Sequence, residues 1–150
     1  MKIFKPKFWN QKKGIISFFL LPFSFFLQIL IFFRNKITRT KKISIPVICV
    51  GNIYIGGTGK TPLSIKIVKI IEKLNKRVSI VKKFYKNHQD EFNLIKSKQV
   101  SLCTGSSRYI AISEAIKNKF DCVVLDDGYQ DFSIDKDLNI LCFNENQLVG

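Results

Sequence analysis

A chain of 150 residues holds one ordinary domain, and a formal charge of +14 points to an anionic partner: nucleic acid, an acidic membrane surface or a phosphorylated substrate. The single histidine, His88, excludes a histidine-rich metal site, and the four cysteines contain no C-x-x-C pair, which argues against a zinc site or a disulfide framework. Lysine, isoleucine, asparagine and phenylalanine are abundant along the whole chain, so part of the basicity is residue bias; most of the phenylalanine is gathered near the N-terminus rather than interleaved with lysines as a base-stacking surface requires.

From the N-terminus, Ile15 to Phe33 carry no charge and consist mainly of Phe, Leu and Ile, interrupted by Ser17, Pro22, Ser24 and Gln28. The run is just long enough to span a bilayer core as a helix. A signal peptide is one alternative, but there is no small-residue cleavage site and the run leads directly into Arg34, Lys36, Arg39, Lys41 and Lys42. A buried core helix is another, and a chain this small has difficulty surrounding one on all sides. Lys2, Lys5, Lys7, Lys12 and Lys13 precede the run, so the positive-inside rule selects no orientation. Pro22 and the Phe8/Trp9 pair suit a helix that dips into one leaflet about as well as one that spans. Residues 1–42 are therefore expected to form a membrane anchor with basic flanks, and 43–150 a separate domain.

That domain opens on a strand expected over Ile45 to Val50, with Pro46 tolerable at its start. The apolar run then breaks into glycines and ends on Gly59-Lys60-Thr61 ahead of a helical pattern, which is the layout of a phosphate cradle. Backbone N–H groups of Gly56, Gly57, Thr58 and Gly59 can turn toward phosphate oxygens, Lys60 supplies a charge near the β/γ-phosphates, and the Thr61 hydroxyl can ligate Mg²⁺. The strict spacing would put a glycine where Tyr54 stands. The competing reading is a glycine-rich turn before a basic helix.

The pattern predicts that helix over Lys60 to Lys76, with Leu63, Ile67, Ile70, Ile71 and Leu74 on its apolar face and Pro62 in its first turn. Further strands are expected at Val78 to Val81, Val100 to Cys103, Cys122 to Leu125 and Leu138 to Phe143. A second helix is expected over Arg108 to Lys119, with Tyr109, Ile112, Ile116 and Phe120 at helical spacing and Ser106 or Ser107 as its cap. The cysteines, Cys49, Cys103, Cys122 and Cys142, fall inside apolar strand runs, where a reduced thiol behaves as a small buried hydrophobe, favouring a reducing cytosolic face. Strands alternating with helices call for an α/β fold, a parallel sheet covered on both faces.

The strand ending in Leu125-Asp126-Asp127-Gly128-Tyr129-Gln130 carries two carboxylates. Taken alone, Asp-Asp-Gly at a strand end is more often a turn. Downstream of a phosphate loop, carboxylates at the carboxyl edge of a neighbouring strand are placed to hold Mg²⁺ directly or through water.

Together these motifs resemble the tetraacyldisaccharide 4'-kinase family over nearly the whole chain. The matching residues are Pro6-Lys-Phe-Trp9, Leu21-Pro22, Pro46-Val-Ile-Cys-Val-Gly-Asn52, Gly56-Gly-Thr-Gly-Lys-Thr-Pro62, Asp90-Glu91 and Leu125-Asp-Asp-Gly-Tyr-Gln130. The family departs from the strict phosphate-loop spacing in the same way. The resemblance implies a P-loop NTPase-like sheet behind an N-terminal membrane-anchoring helix. It also implies a kinase that transfers the γ-phosphoryl group of ATP to the 4'-hydroxyl of a tetraacyldisaccharide 1-phosphate, the lipid A precursor, at the cytoplasmic face of the inner membrane. Lys60 would contact the phosphates and serve catalysis, and Thr61, Asp126 and Asp127 would form the Mg²⁺ side. Asp90 would be the base or orienter for the sugar hydroxyl, although by itself it reads as a solvated loop acid.

There are three departures from the family pattern. Val81-Lys-Lys-Phe-Tyr85 stands where the family has Ser-Arg-Gly-Tyr, so that Lys83 replaces the arginine's charge without its bidentate fork. Asp131 stands where a histidine commonly follows. The chain also reaches only Gly150, whereas the family continues through a roughly equal further length with a second lobe that closes on the substrate, so a C-terminal half in cis or in trans is an expected partner, beside the lipid precursor and membrane lipids. A membrane-tethered P-loop ATPase or GTPase without a lipid acceptor is the alternative, and Asp90-Glu91 with Gly51-Asn52 argue for the kinase. A nucleic-acid-binding role rests on charge alone and is opposed by the uncharged anchor and the lack of a recognisable binding module, so no nucleic acid is expected.

Overall fold

The computed structural model describes residues 15–38, 40–52, 59–85 and 89–143. The chain divides into two compact units, residues 1–39 and 40–150.

The first unit is built on helix α1 (Ile15–Ile37), whose Phe, Leu and Ile side chains from Phe18 to Phe33 are exposed. Pro22 lies inside this helix and removes one i→i−4 hydrogen bond. The expected helix forms, but among the described residues no helix is long and apolar enough to cross a membrane. The expected Phe8/Trp9 entry and the lysines before the helix lie outside the described residues.

The second unit is the expected parallel α/β sheet with flanking helices. Strands β1 (Val47–Asn52), β2 (Val78–Lys83), β3 (Leu102–Gly105), β4 (Cys122–Asp126) and β5 (Leu138–Cys142) lie in the order β3-β2-β4-β1-β5, every pair parallel. Helices α2 (Lys60–Glu72), α3 (Gln89–Ser97) and α4 (Arg108–Lys117) supply the crossovers. Successive strand residues face opposite sides. Cys49, Val81, Val123 and Leu125 join Ala111, Ile112 and Ala115 under α4, while Val50, Ile80 and Val124 join Ile65, Val68 and Ile95 under α2 and α3. Burial on both faces is why the central strands read as unbroken apolar runs. The four cysteines are all buried and unpaired.

Both expected helices present a different face from the one their periodicity suggested. In α2 the buried residues are Ser64, Ile65 and Val68. Leu63, Ile67 and Ile71 pack only at its margin, while Ile70 is 53% and Leu74 68% exposed. In α4 the sheet side is Ala111, Ile112 and Ala115, with Tyr109 and Ile116 turned outward. Small residues let this helix settle close to β3: a Cβ on Gly105 would lie 2.9 Å from the Ala111 nitrogen. Ser107 is the cap, accepting from the Ile110 N–H at 3.3 Å. Helix α3 adds to the expected elements. It buries only Phe92 and Ile95, too few for a visible period, but its first turn carries Asp90 and Glu91, which suit the positive end of a helix.

Candidate functional site

Strand β1 ends at Asn52, and residues 53–58, including Gly56, Gly57 and Thr58 of the expected phosphate cradle, lie outside the described residues. Gly59 caps α2 with φ 75°, a left-handed conformation that glycine adopts without strain. Lys60 and Thr61 then form the first residues of that helix. Because β4 pairs directly with β1, with Val50 opposite Asp126, the acidic end of β4 stands beside the start of α2.

The Asp126 side chain is fully buried and takes hydrogen bonds from three groups. The Thr61 hydroxyl donates to Oδ2 at 2.8 Å, the Ser64 hydroxyl to Oδ1 at 3.3 Å, and the Lys82 ammonium to Oδ2 at 2.7 Å. A buried carboxylate is tolerated only when paired and hydrogen-bonded in this way. Lys82 also forms an ion pair with Glu91. Burial by itself lowers the pKa of the Lys82 ammonium, but the charges and hydrogen bonds of Asp126 and Glu91 outweigh it and hold the group above the ordinary lysine range.

Lys60 Nζ donates to Asn52 Oδ1 at 2.7 Å and pairs with Asp127 Oδ1 at 3.0 Å. Asp127 has φ 63° and donates its N–H to the Val50 carbonyl at 2.9 Å, which carries the parallel β1–β4 ladder one residue past the end of β4. Arg108, at the start of α4, donates to the Asp127 carbonyl and, through Nη1, to Asp131 Oδ2 at 3.3 Å. Asp131 also accepts from the Ser133 N–H and hydroxyl. Burial raises the pKa of its carboxyl, but Ser133 and Arg108 overcome this and hold it below the ordinary aspartate range. The carboxylate that replaces the family's histidine thus braces this loop.

Of the expected site residues, the structure brings together Gly59, Lys60, Thr61, Asp126 and Asp127. Asp90 is exposed in the first turn of α3, and among the described residues no ion pair of its own ties it to this group. Its neighbour Glu91 is tied there through Lys82. Lys83, expected to replace the family's arginine, lies 5.3 Å from the Tyr85 ring; of these two neighbouring lysines it is Lys82 that pairs with Asp126 and Glu91. Sequence reasoning missed Lys82, Ser64 and Arg108. A signal existed for the first two, a lysine closing an apolar strand and a serine inside an apolar helix face.

The donor set suits a hard cation. Thr61 supplies a hydroxyl oxygen and Asp126 and Asp127 carboxylate oxygens. One hydroxyl and two carboxylates are the kind of oxygen donors that Mg²⁺ takes beside substrate phosphates and water.

Comparison with known proteins identifies the family and the fold. A family model described as Tetraacyldisaccharide-1-P 4'-kinase matches residues 16–150. The chain is 46% identical to a tetraacyldisaccharide 4'-kinase of Pelagibacter ubique, covering 100% of this chain and 48% of that relative. It is 31% identical to the enzyme of the same name from Rickettsia bellii, covering 100% of this chain and 51% of the relative. The fold matches a crystal structure of LpxK from Aquifex aeolicus in complex with ATP, with a TM-score of 0.66 and 26% identity, over 90% of this chain and 52% of that one. The chain therefore spans about half the length of the curated relatives it matches.

Proposed function

The chain belongs to the tetraacyldisaccharide-1-P 4'-kinase family, and we propose that it carries the ATP-binding half of an enzyme that transfers the γ-phosphoryl group of ATP to the 4'-hydroxyl of a tetraacyldisaccharide 1-phosphate in lipid A synthesis. The observation that carries this reading is the 2.8 Å hydrogen bond from Thr61 to Asp126. It joins the hydroxyl that follows the phosphate-loop lysine to a carboxylate of the adjacent parallel strand. A hydrolytic switch has no use for the family's disaccharide acceptor, and family membership favours the kinase.

Residues 56–61 would wrap the phosphates, with the backbone of Gly56, Gly57, Thr58 and Gly59 donating to phosphate oxygens. Lys60 is held by Asp127 and Asn52, so an arriving triphosphate competes with a carboxylate of the same sign for its ammonium. Thr61, Asp126 and Asp127 would hold Mg²⁺, which when bound neutralises charge on the transferring phosphoryl group. Asp90 would orient or deprotonate the 4'-hydroxyl. Phosphoryl transfer depends chiefly on alignment and charge neutralisation, so Lys60, Thr61, Asp126 and Asp127 would serve the nucleotide side, and Asp90 would act on an acceptor that the second half, in cis or in trans, helps to align. The exposed apolar side chains of α1 favour attachment to membrane lipids, at the cytoplasmic face of the inner membrane where ATP and the lipid precursor meet.

The test is ATP-dependent phosphorylation of the disaccharide lipid beside direct measurement of Mg²⁺·ATP binding. The 150-residue chain is expected to bind Mg²⁺·ATP and to leave the lipid unphosphorylated until the second half is supplied, and Lys60→Ala to abolish transfer in the completed enzyme. Transfer at the wild-type rate by Lys60→Ala would refute the assignment, and ATP hydrolysis by the completed enzyme without lipid phosphorylation would select the hydrolytic alternative.

A further inference from the structure

Lys82 takes no part in the scheme above, yet only 6% of its side chain is exposed and it holds two acids at once, Asp126 of β4 and Glu91 of α3. An ammonium has three N–H donors that can point to different acceptors, whereas a guanidinium presents a planar fork. Two positions further along, the Phe84 ring stacks on Phe92 with centroids 5.9 Å apart and planes 2° from parallel. Lys82 in β2 and Phe84 just past its end therefore grip Glu91 and Phe92 of α3, one by charge and one by ring contact.

The grip matters because α3 is short and lightly anchored. Its buried apolar residues are Phe92 and Ile95 alone. Two anchors on one side leave rotation about the helix axis weakly determined, and neighbouring residues on a helix are separated by about 100° around it. The Glu91 contact fixes that rotation. Asp90 precedes Glu91, so its bearing relative to Asp126 is set by the same contact.

We propose that Lys82 is a positioning residue: by tying Glu91 to Asp126 it holds the first turn of α3, and with it Asp90, in register with the phosphate-and-metal end of the sheet. The purpose assigned to that register rests on the kinase reading, whereas the tether itself does not.

Hydrogen exchange followed by mass spectrometry on the whole chain tests the tether, with α4 as internal reference. Glu91→Gln keeps the Lys82–Asp126 pair. Because the Glu91 side chain is 43% exposed and its pairing is screened, a rise of about fivefold in exchange at residues 89–92 is expected, with α4 unchanged. Lys82→Met is expected to exceed that rise, and Lys82→Arg to fall between wild type and Lys82→Met, since the charge is kept but a planar fork replaces three independently aimed donors. Mg²⁺·ATP affinity of Glu91→Gln should stay within about twofold, because the Lys60 and Thr61 contacts described above, with Asn52, Asp127 and Asp126, do not pass through Glu91, while turnover of the completed enzyme falls about as much as α3 loosens.

Unchanged exchange at residues 89–92 in Glu91→Gln, or an equal rise in α3 and α4, would overturn the tether and leave the kinase reading intact. Unchanged turnover with a loosened α3 would overturn the positioning role. Should Lys82→Met not fold, Glu91→Gln and Lys82→Arg still decide the matter. Failure of the wild-type chain to bind Mg²⁺·ATP would instead count against the kinase reading, with the exchange result unaffected.

Discussion

At Gly51 only a hydrogen fits: a Cβ there would lie 2.4 Å from Tyr129 Cβ. The glycine before Asn52 and the aromatic after Asp-Asp-Gly are distant in sequence and in contact in space, so each limits the other. Gly51→Ala is expected to destabilise the domain by about 1–3 kcal/mol through overpacking, read as a lowered urea midpoint. Adding Tyr129→Ala should not restore it, since the clashing atom is retained; adding Tyr129→Gly should, in part. At Asp90 the expectation is kinetic. In the completed enzyme Asp90→Asn should lower kcat by about 10²-fold or more with ATP affinity nearly unchanged, as for a group that acts on the acceptor hydroxyl. An equal loss of nucleotide binding would move Asp90 to the phosphate or metal shell.

The elements divide labour along the chain. Helix α1 exposes a row of large apolar side chains, and its expected role is adhesion to lipid. The place to cut it away is set by Lys41, whose N–H donates to the Ser133 carbonyl at 2.9 Å and whose carbonyl accepts from Asp135 at 3.1 Å. Deletion of residues 1–39 keeps that bridge and is expected to lower sedimentation with anionic vesicles by more than about tenfold while leaving Mg²⁺·ATP binding intact. Undiminished pelleting at high salt by a soluble, unaggregated variant would refute the anchor. In α2, a serine buried among isoleucine and valine reverses the usual preference, because Ser64 completes the shell of Asp126. The buried face of α2 thus runs through Ser64, Ile65 and Val68 rather than Ile70.

Across the whole second unit, charge pairs set how stability depends on pH. The folded-state pKa of Asp131 lies below its ordinary value of 3.8, so its contribution is present above that value and is lost as pH falls through the folded one. Lys82 is shifted upward, so its contribution is present below the ordinary lysine pKa of 10.5 and is lost as pH rises through the folded value. Asp131→Asn is therefore expected to flatten the decline of the urea midpoint as pH falls below 3.8, without altering the alkaline limb. An acid limb as steep as that of wild type would show that Asp131 does not carry it.

By itself the amino-acid sequence determined what depends on covalent spacing. Gly59-Lys60-Thr61 sits at a strand-to-helix junction and Asp126-Asp127 at a strand end because those residues are neighbours in the chain, and the alternation of apolar runs with helical patterns already required a parallel sheet. Helix α3 was illegible because two buried residues, Phe92 and Ile95, make no period. The bearing of α2 and α4 was decided by what each packs against, a polar atom of Asp126 in one case and the bare backbone at Gly105 in the other. Only tertiary structure could assign Lys82, because its two acids lie 44 and 9 residues away and meet it only when β2, β4 and α3 converge. A buried charge is defined by its partners, and these partners come from separate elements of the fold.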